Sequence, residues 1–196
     1  MYNAPMATVI TEGISEQQKA TAKFQSAYQD MLRQLKAPGF AHVLSCHEAA
    51  HLFYYKLVGT KTYKAFPASL SYDQTIDDYS GSMASVQVLD MTPPTQGKIG
   101  EWLAGIAVAL AAGGVVARKL MTSIGGPWPD PTGGDQNDRQ YLGHICKEFA
   151  SGGIPIDAEK LWKVAQDSVL QDLSEHPQRL VEIEELAREL RPELGL

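Results

Sequence analysis

The sequence has few of the features that mark particular protein classes. It contains two cysteines in 196 residues, Cys46 and Cys146, and no CxxC motif, which excludes a disulfide framework. Lysines and arginines form no runs and the formal net charge is −6, which argues against nucleic acid or an anionic membrane as the main partner. We therefore expect two reduced thiols in a cytoplasmic protein.

Targeting and membrane-spanning patterns are also missing. The N-terminal residues MYNAPMATVITEG have neither the basic start nor the apolar run of a signal peptide. The most apolar stretch, over 102–117, is shorter than the roughly 20 residues that span a bilayer. Because this stretch is rich in alanine and glycine, we expect it to form a buried core helix without a membrane span.

The apolar periodicity predicts a mainly α-helical fold with a small β-hairpin or short sheet beside the second helix. Helices are predicted over 15–35, 40–57, 96–121, 137–149, 157–173 and 177–190. Asp157 and Ser174 are N-cap candidates for the last two helices. We divide the chain into an N-terminal helical segment over 1–39, a core over 40–150 and a C-terminal helical pair over 151–196.

Two strands are expected between the second helix and the apolar helix. The segments 63–70 and 82–89 have β composition, and Pro67 places the first of them at a sheet edge. The acidic connection over 73–78 is predicted to be a solvated loop.

The segment His47-Glu48-Ala49-Ala50-His51 carries the chemistry. Residues four apart on a helix lie on one face, so the two imidazoles can bind one Zn²⁺ ion. Glu48 follows the first ligand and can act as general base towards a water whose pKa the ion lowers to about 7. The alternative is a pair of hydrogen-bonded core histidines, with Glu48 in a salt bridge.

A catalytic zinc ion needs a third protein ligand and an open position. The HExxHxxGxxH class is excluded because residue 57 is leucine. Asp138 is favoured because it lies on the apolar face of the helix over 137–149, where an unpaired carboxylate is costly. The alternative is that Asp135 and Asp138 only complement a helix N-terminus. The remaining histidines are further candidates: His42, His144 and His176.

The region from about 40 to 149 resembles the peptidase domain of FtsH-type zinc metalloproteases. The HExxH segment, then Ala112-Gly113-Gly114 in the apolar helix, then the GGDQND segment over 133–138 recur there in this order. The resemblance implies a zinc peptidase core, endopeptidase activity and self-association. It also implies one Zn²⁺ ion per chain, held by His47, His51 and Asp138, with Glu48 as base.

The sequence departs from this family in ways that bear on function. The glycine before the second histidine is Ala50, the arginine after the Gly-Gly pair is Val115, and the Glu-Glu pair is Arg118-Lys119, so support from those acids is lost. No GxxxxGK[ST] motif is present, so the protein is expected to lack its own ATPase. The expected partners are peptides or flexible proteins, a separate ATPase, or further copies of the chain.

Substrate contacts are predicted at two places. The strand over 82–89 would bind an extended substrate at its edge, or would be an ordinary hairpin strand. Its predicted contact residues are Ser82, Met83, Ala84 and Ser85. Trp128, in the Gly/Pro-rich segment over 122–134, would line the cleft or hold that loop in place.

The sequence thus predicts a zinc-dependent metalloprotease, a hydrolase that cleaves peptide bonds with a metal-activated water. Two histidines and an aspartate could also hold iron, cobalt or manganese. The alternative is a non-catalytic domain of the same fold that binds or regulates other proteins. The missing Glu-Glu pair and ATPase favour this alternative, whereas the intact Glu48 argues against it.

Overall fold

The computed structural model describes Ala22, Gln25, Ser26, Gln29 and Arg33, and then residues 38–67, 69–73, 78–82, 84–90, 98–124 and 134–196. The five early residues are helical and exposed. The rest of the helix predicted over 15–35 lies outside the described residues.

From residue 38 onwards the described elements are α1 Pro38–Leu57, β1 Tyr63–Phe66, β2 Ser69–Asp73, β3 Asp78–Ser82, β4 Ser85–Val88, α2 Ile99–Ile124, α3 Gln136–Ser151, α4 Ala158–Glu175 and α5 Gln178–Leu194. The protein is mainly helical with small antiparallel β elements, which confirms the predicted fold class.

The predicted pairing of two strands is present, and it is shorter than expected. β1 and β4 are antiparallel, with Tyr63 opposite Val88 and Phe66 opposite Ser85. β1 ends directly before Pro67, which has no amide hydrogen to donate to a neighbouring strand.

A second antiparallel hairpin, formed by β2 and β3, corrects two of the predictions. Ser82 ends β3 and lies opposite Ser69, so the strand predicted over 82–89 is divided between the β2–β3 pair and the β1–β4 pair. Asp73 and Asp78, predicted as loop residues, lie opposite each other at the ends of these strands. The sequences SLSYD and DYSGS alternate too weakly in hydropathy to predict strands.

The core is built around α2. Its buried residues are mostly small: Ala107, Ala109, Ala111 and Ala112 are inaccessible to solvent, and Gly113 and Gly114 are buried. Small side chains let α1 and α4 approach α2 closely. In the described part, α2 has the length and composition of a membrane span, with mean hydropathy 1.8, but 61% of its apolar window is buried inside the fold.

The C-terminal helices begin differently from each other. Asp157 is the N-cap of α4, as predicted, and accepts a hydrogen bond from the Lys160 amide at 3.0 Å. The prediction of Ser174 as the next N-cap is wrong, because α4 continues through it and Pro177 occupies that position. The fixed φ of proline suits the start of a helix.

The end of α5 makes polar contacts with α1, the helix that carries the HExxH segment. Arg191 donates from Nε to the hydroxyl of Ser45 at 3.2 Å, and its Nη2 lies 2.9 Å from Nδ1 of His42. Ser45 is completely buried. These contacts hold α1 from the side opposite to α2.

Candidate metal centre

His47 and His51 project from α1 into the interior. Each is 6% exposed, and their Nε2 atoms lie 2.9 Å apart. The two rings meet edge to face, with centroids 4.6 Å apart. Helical spacing of four residues therefore places two imidazole nitrogens at one buried point.

The orientation of His51 is set by the main chain of α2. Its Nδ1 lies 2.8 Å from the carbonyl oxygen of Ala109, which can only accept a hydrogen bond. Nδ1 therefore carries a proton, and Nε2 faces the centre, where it can bind a metal ion once its own proton has left.

Asp138, in the first turn of α3, completes the group. Its Oδ2 lies 3.4 Å from Nε2 of His51 and 3.8 Å from Nε2 of His47. The three ligand atoms all lie within 4.8 Å of one another. This buried group of two histidines and one aspartate could hold a metal ion, and its donor types suit zinc, iron, cobalt or manganese.

Two glycines let the backbone approach the imidazoles. A Cβ atom on Gly113 of α2 would lie 2.6 Å from Cε1 of His51 and 2.8 Å from Cε1 of His47. Gly134 has φ +85°, and a Cβ there would lie 3.3 Å from Cε1 of His47. The sequence shows the Gly-Gly pair in the apolar helix, but only the structure shows which surface it contacts.

Glu48 is buried next to the histidines. Its Oε2 accepts a hydrogen bond from the amide of Val86 at 2.7 Å, and Oε1 lies 3.9 Å from Nε2 of His47. Burial raises the pKa of Glu48 to about 7, although the neighbouring His51 and the Val86 amide act to lower it. A carboxyl group with a pKa near neutrality is suited to general-base chemistry.

The charges of His51 and Asp138 stabilise each other. Burial acts to lower the pKa of His51, but the Asp138 carboxylate, together with Glu48 and the Ala109 carbonyl, raises it above its usual range. Burial acts to raise the pKa of Asp138, but His51 and His47 lower it overall. A metal ion that binds here must therefore displace a proton.

The open edge of β4 faces this centre. The Leu89 amide donates to the carbonyl of Thr62 at 3.0 Å, so alternate residues of β4 face β1 and the others, Val86 and Val88, point away from it. In the described residues β4 is paired on one side only. The contact between the Val86 amide and Glu48 therefore places the unpaired edge beside Glu48 and the neighbouring His47.

The residues predicted to contact substrate lie in different environments. Ser85 begins β4 and is half-buried, whereas Ala84 is buried. Ser82 ends β3 and is not on the β4 edge. Met83 and Trp128 lie outside the described residues.

The other histidines are away from the centre. His42 lies beside Arg191 and 3.8 Å from the sulfur of Cys46. His144 is exposed on α3, and His176 is the C-cap of α4. None of the three belongs to the metal-ligating group found among the described residues.

Comparison with models of protein families, with curated proteins and with solved structures finds no match. The geometry of the site itself therefore has to carry any functional proposal. That geometry is a buried group of His47, His51 and Asp138 that could hold a metal ion, with a carboxyl group of raised pKa beside it.

Proposed function

We propose that the protein is a zinc-dependent metallopeptidase that cleaves peptide bonds within extended or flexible chains. The observation that carries the proposal is the convergence of His47 and His51 with Asp138, from a distant helix, directly beside the buried Glu48. The order of these motifs, which resembles that of FtsH-type peptidase domains, supports the same reaction class.

The three ligands would hold the zinc ion at the buried end of the site. His51 enters in a fixed orientation because Ala109 occupies its other nitrogen. When bound, the ion would supply a Lewis acid that polarises the scissile carbonyl and lowers the pKa of water.

Glu48 would transfer a proton from water to the leaving amine during peptide hydrolysis. Its carboxylate would take a proton from the attacking water and deliver it to the amine that leaves. The Val86 amide binds Oε2 at 2.7 Å and so holds the carboxylate group in position, with Oε1 on the side of His47.

The open edge of β4 would bind the substrate. An extended peptide that pairs with this edge would use the carbonyl of Val86 and the outward-facing main-chain groups of Val88, because the Val86 amide is bound to Glu48. The peptide would then pass beside Glu48. Such binding requires an unfolded or flexible segment. We further propose that a separate ATPase delivers folded substrates to the protein in the cytoplasm. The resemblance to FtsH-type peptidase domains also supports a homo-oligomer.

The second candidate function is a non-catalytic domain that binds or regulates other proteins. The observation that favours it is Arg118-Lys119, which stands where the peptidases that the sequence resembles have two acids. Such a domain would keep the fold and the metal without turning over a substrate.

Zinc content and cleavage of fluorescein-labelled casein, measured on the wild type and on Glu48→Gln, separate these functions. A peptidase releases labelled fragments from casein, and Glu48→Gln loses this activity while it retains one zinc ion. Zinc binding without cleavage by either protein supports the binding domain. A wild type that binds no zinc contradicts both readings of the site.

A further inference from the structure

Asp135 occupies the N-cap position of α3 without capping the helix. An N-cap aspartate usually accepts a hydrogen bond from an amide in the first turn, but the Asp135 side chain makes no such bond. Its Oδ2 instead accepts from Nη1 of Arg118 at 2.7 Å and from Nε2 of Gln166 at 3.3 Å. The start of α3 is thereby tied to α2 through Arg118 and to α4 through Gln166.

These polar links matter because the apolar packing of α3 lies beyond its first turn. Of its 16 residues, Leu142 and Cys146 are the buried ones. Both lie beyond the first turn, which carries Asp138. Apolar packing alone therefore does not fix the position of the first turn of α3. The position of the Asp138 carboxylate depends on that turn.

The turn before α3 also fits closely between α2 and the imidazoles. A Cβ on Gly114 would lie 2.6 Å from Cβ of Asp135, and Gly134 contacts the ring of His47. Asp135 is 9% exposed. Its position relative to the histidines is therefore set by contacts on several sides, and Asp138 follows it by one helical turn.

We propose that Arg118 and Gln166 act through Asp135 as positioning residues that bring the third metal ligand, Asp138, to the two imidazoles. The inference rests on the proposed metal site. It also gives the basic residue at 118 a local role. A cation at this position is matched by an acid at 135, and the resulting ion pair orders the start of the helix that carries Asp138.

The test compares zinc dissociation constants, measured by competition with a chromophoric chelator, for the wild type and for Asp135→Asn, Arg118→Met and the double variant. Each single variant should bind zinc about 10–100-fold more weakly, the range typical of residues that orient metal ligands. The double variant should bind about as weakly as the weaker single variant, because both changes break one link. Arg118→Lys, which keeps the charge, should retain more affinity than Arg118→Met.

Arg139→Met is the matched control. Arg139 also joins α3 to α4, through an exposed ion pair with Glu159, and its loss should leave zinc affinity unchanged within about twofold. Circular dichroism of the metal-free proteins checks that each is folded. The visible spectrum of the Co²⁺-loaded proteins reports the coordination itself, and it should change in the Asp135 and Arg118 variants but not in the control.

The outcomes separate this inference from the proposed function. Wild-type zinc affinity in Asp135→Asn and Arg118→Met, or an equal loss in Arg139→Met, overturns the positioning role and leaves the metal site intact. A wild type that binds no zinc overturns both. If Asp135→Asn does not fold, Gln166→Ala, which keeps the ion pair, replaces it and should weaken zinc binding more than Arg139→Met does.

Discussion

Gly113 of α2 lies directly against the ring of His51, which projects from α1 together with His47. A Cβ atom at this position would approach Cε1 of His51 to 2.6 Å and Cε1 of His47 to 2.8 Å. A contact of this length forces the imidazole rings to shift, so glycine lets the two helices meet here without displacing the histidines.

Gly113→Ala should destabilise the protein by about 1–3 kcal/mol and weaken zinc binding, because the added methyl group displaces both rings. Urea denaturation and zinc titration measure the two effects. Gly100→Ala in the same helix is the control, since a Cβ there meets nothing within 4 Å. Equal effects of the two substitutions would contradict the close packing described here.

Zinc should stabilise the folded protein through Asp138. Free zinc at about 100 times the dissociation constant is expected to raise the free energy of unfolding by about 2.7 kcal/mol. Asp138→Asn should reduce this gain strongly, because one of the three ligands loses its charge. Thermal unfolding with and without zinc measures the gain. His144→Gln, on the same helix but exposed, should keep it, and a full gain in Asp138→Asn would exclude this carboxylate as a ligand.

The stability of the metal-free protein should fall as the pH rises from 6.5 to about 9. The folded state raises the pKa of His51 from 6.5 to about 9, so its stabilising charge is fully present below pH 6.5 and is lost as the pH rises through the folded-state value. The pKa of Asp138 is lowered, so its contribution is lost only in acid.

Urea denaturation in EDTA at pH 6.5 and pH 9 measures this change. His51→Gln should show a smaller decrease than the wild type over the same interval. Zinc affinity should change in the opposite direction and increase with pH, because the ion competes with a proton on His51. A wild type whose metal-free stability increases from pH 6.5 to 9 would contradict the charge assignment.

Arg191→Met should destabilise the protein without a change in zinc affinity. The substitution leaves the buried hydroxyl of Ser45 without its donor from α5, at a cost of about 1–3 kcal/mol. Chemical denaturation measures the loss, and Arg188→Met on an exposed part of the same helix is the control. If zinc affinity falls in parallel with stability, the end of α5 also influences the metal centre.

The local part of the site could be read from the sequence because it depends on helix geometry alone. The spacing of His47 and His51 places them on one face, and the apolar neighbours of that face predict burial, as the structure has it. Asp138 could be singled out in the same way, from its place on an apolar helix face. The distance between Asp138 and the histidines could not be predicted, because it depends on how α3 packs against α2.

The errors have the same origin. The β2–β3 pairing cannot be predicted from the sequence because the strands SLSYD and DYSGS carry no alternating hydropathy pattern. Ser174 was assigned as an N-cap on residue type, whereas Pro177 starts the helix.

The amino-acid sequence by itself determined the mainly helical class, the central apolar helix and the ligand pair on α1, because these follow from periodicities within single segments. The tertiary structure alone decided that the open edge of β4 faces Glu48, that Gly113 meets the imidazoles and that Asp135 pairs with Arg118. Contacts between segments far apart in the chain leave no periodic signal, and their distances are set by the packing of the whole domain.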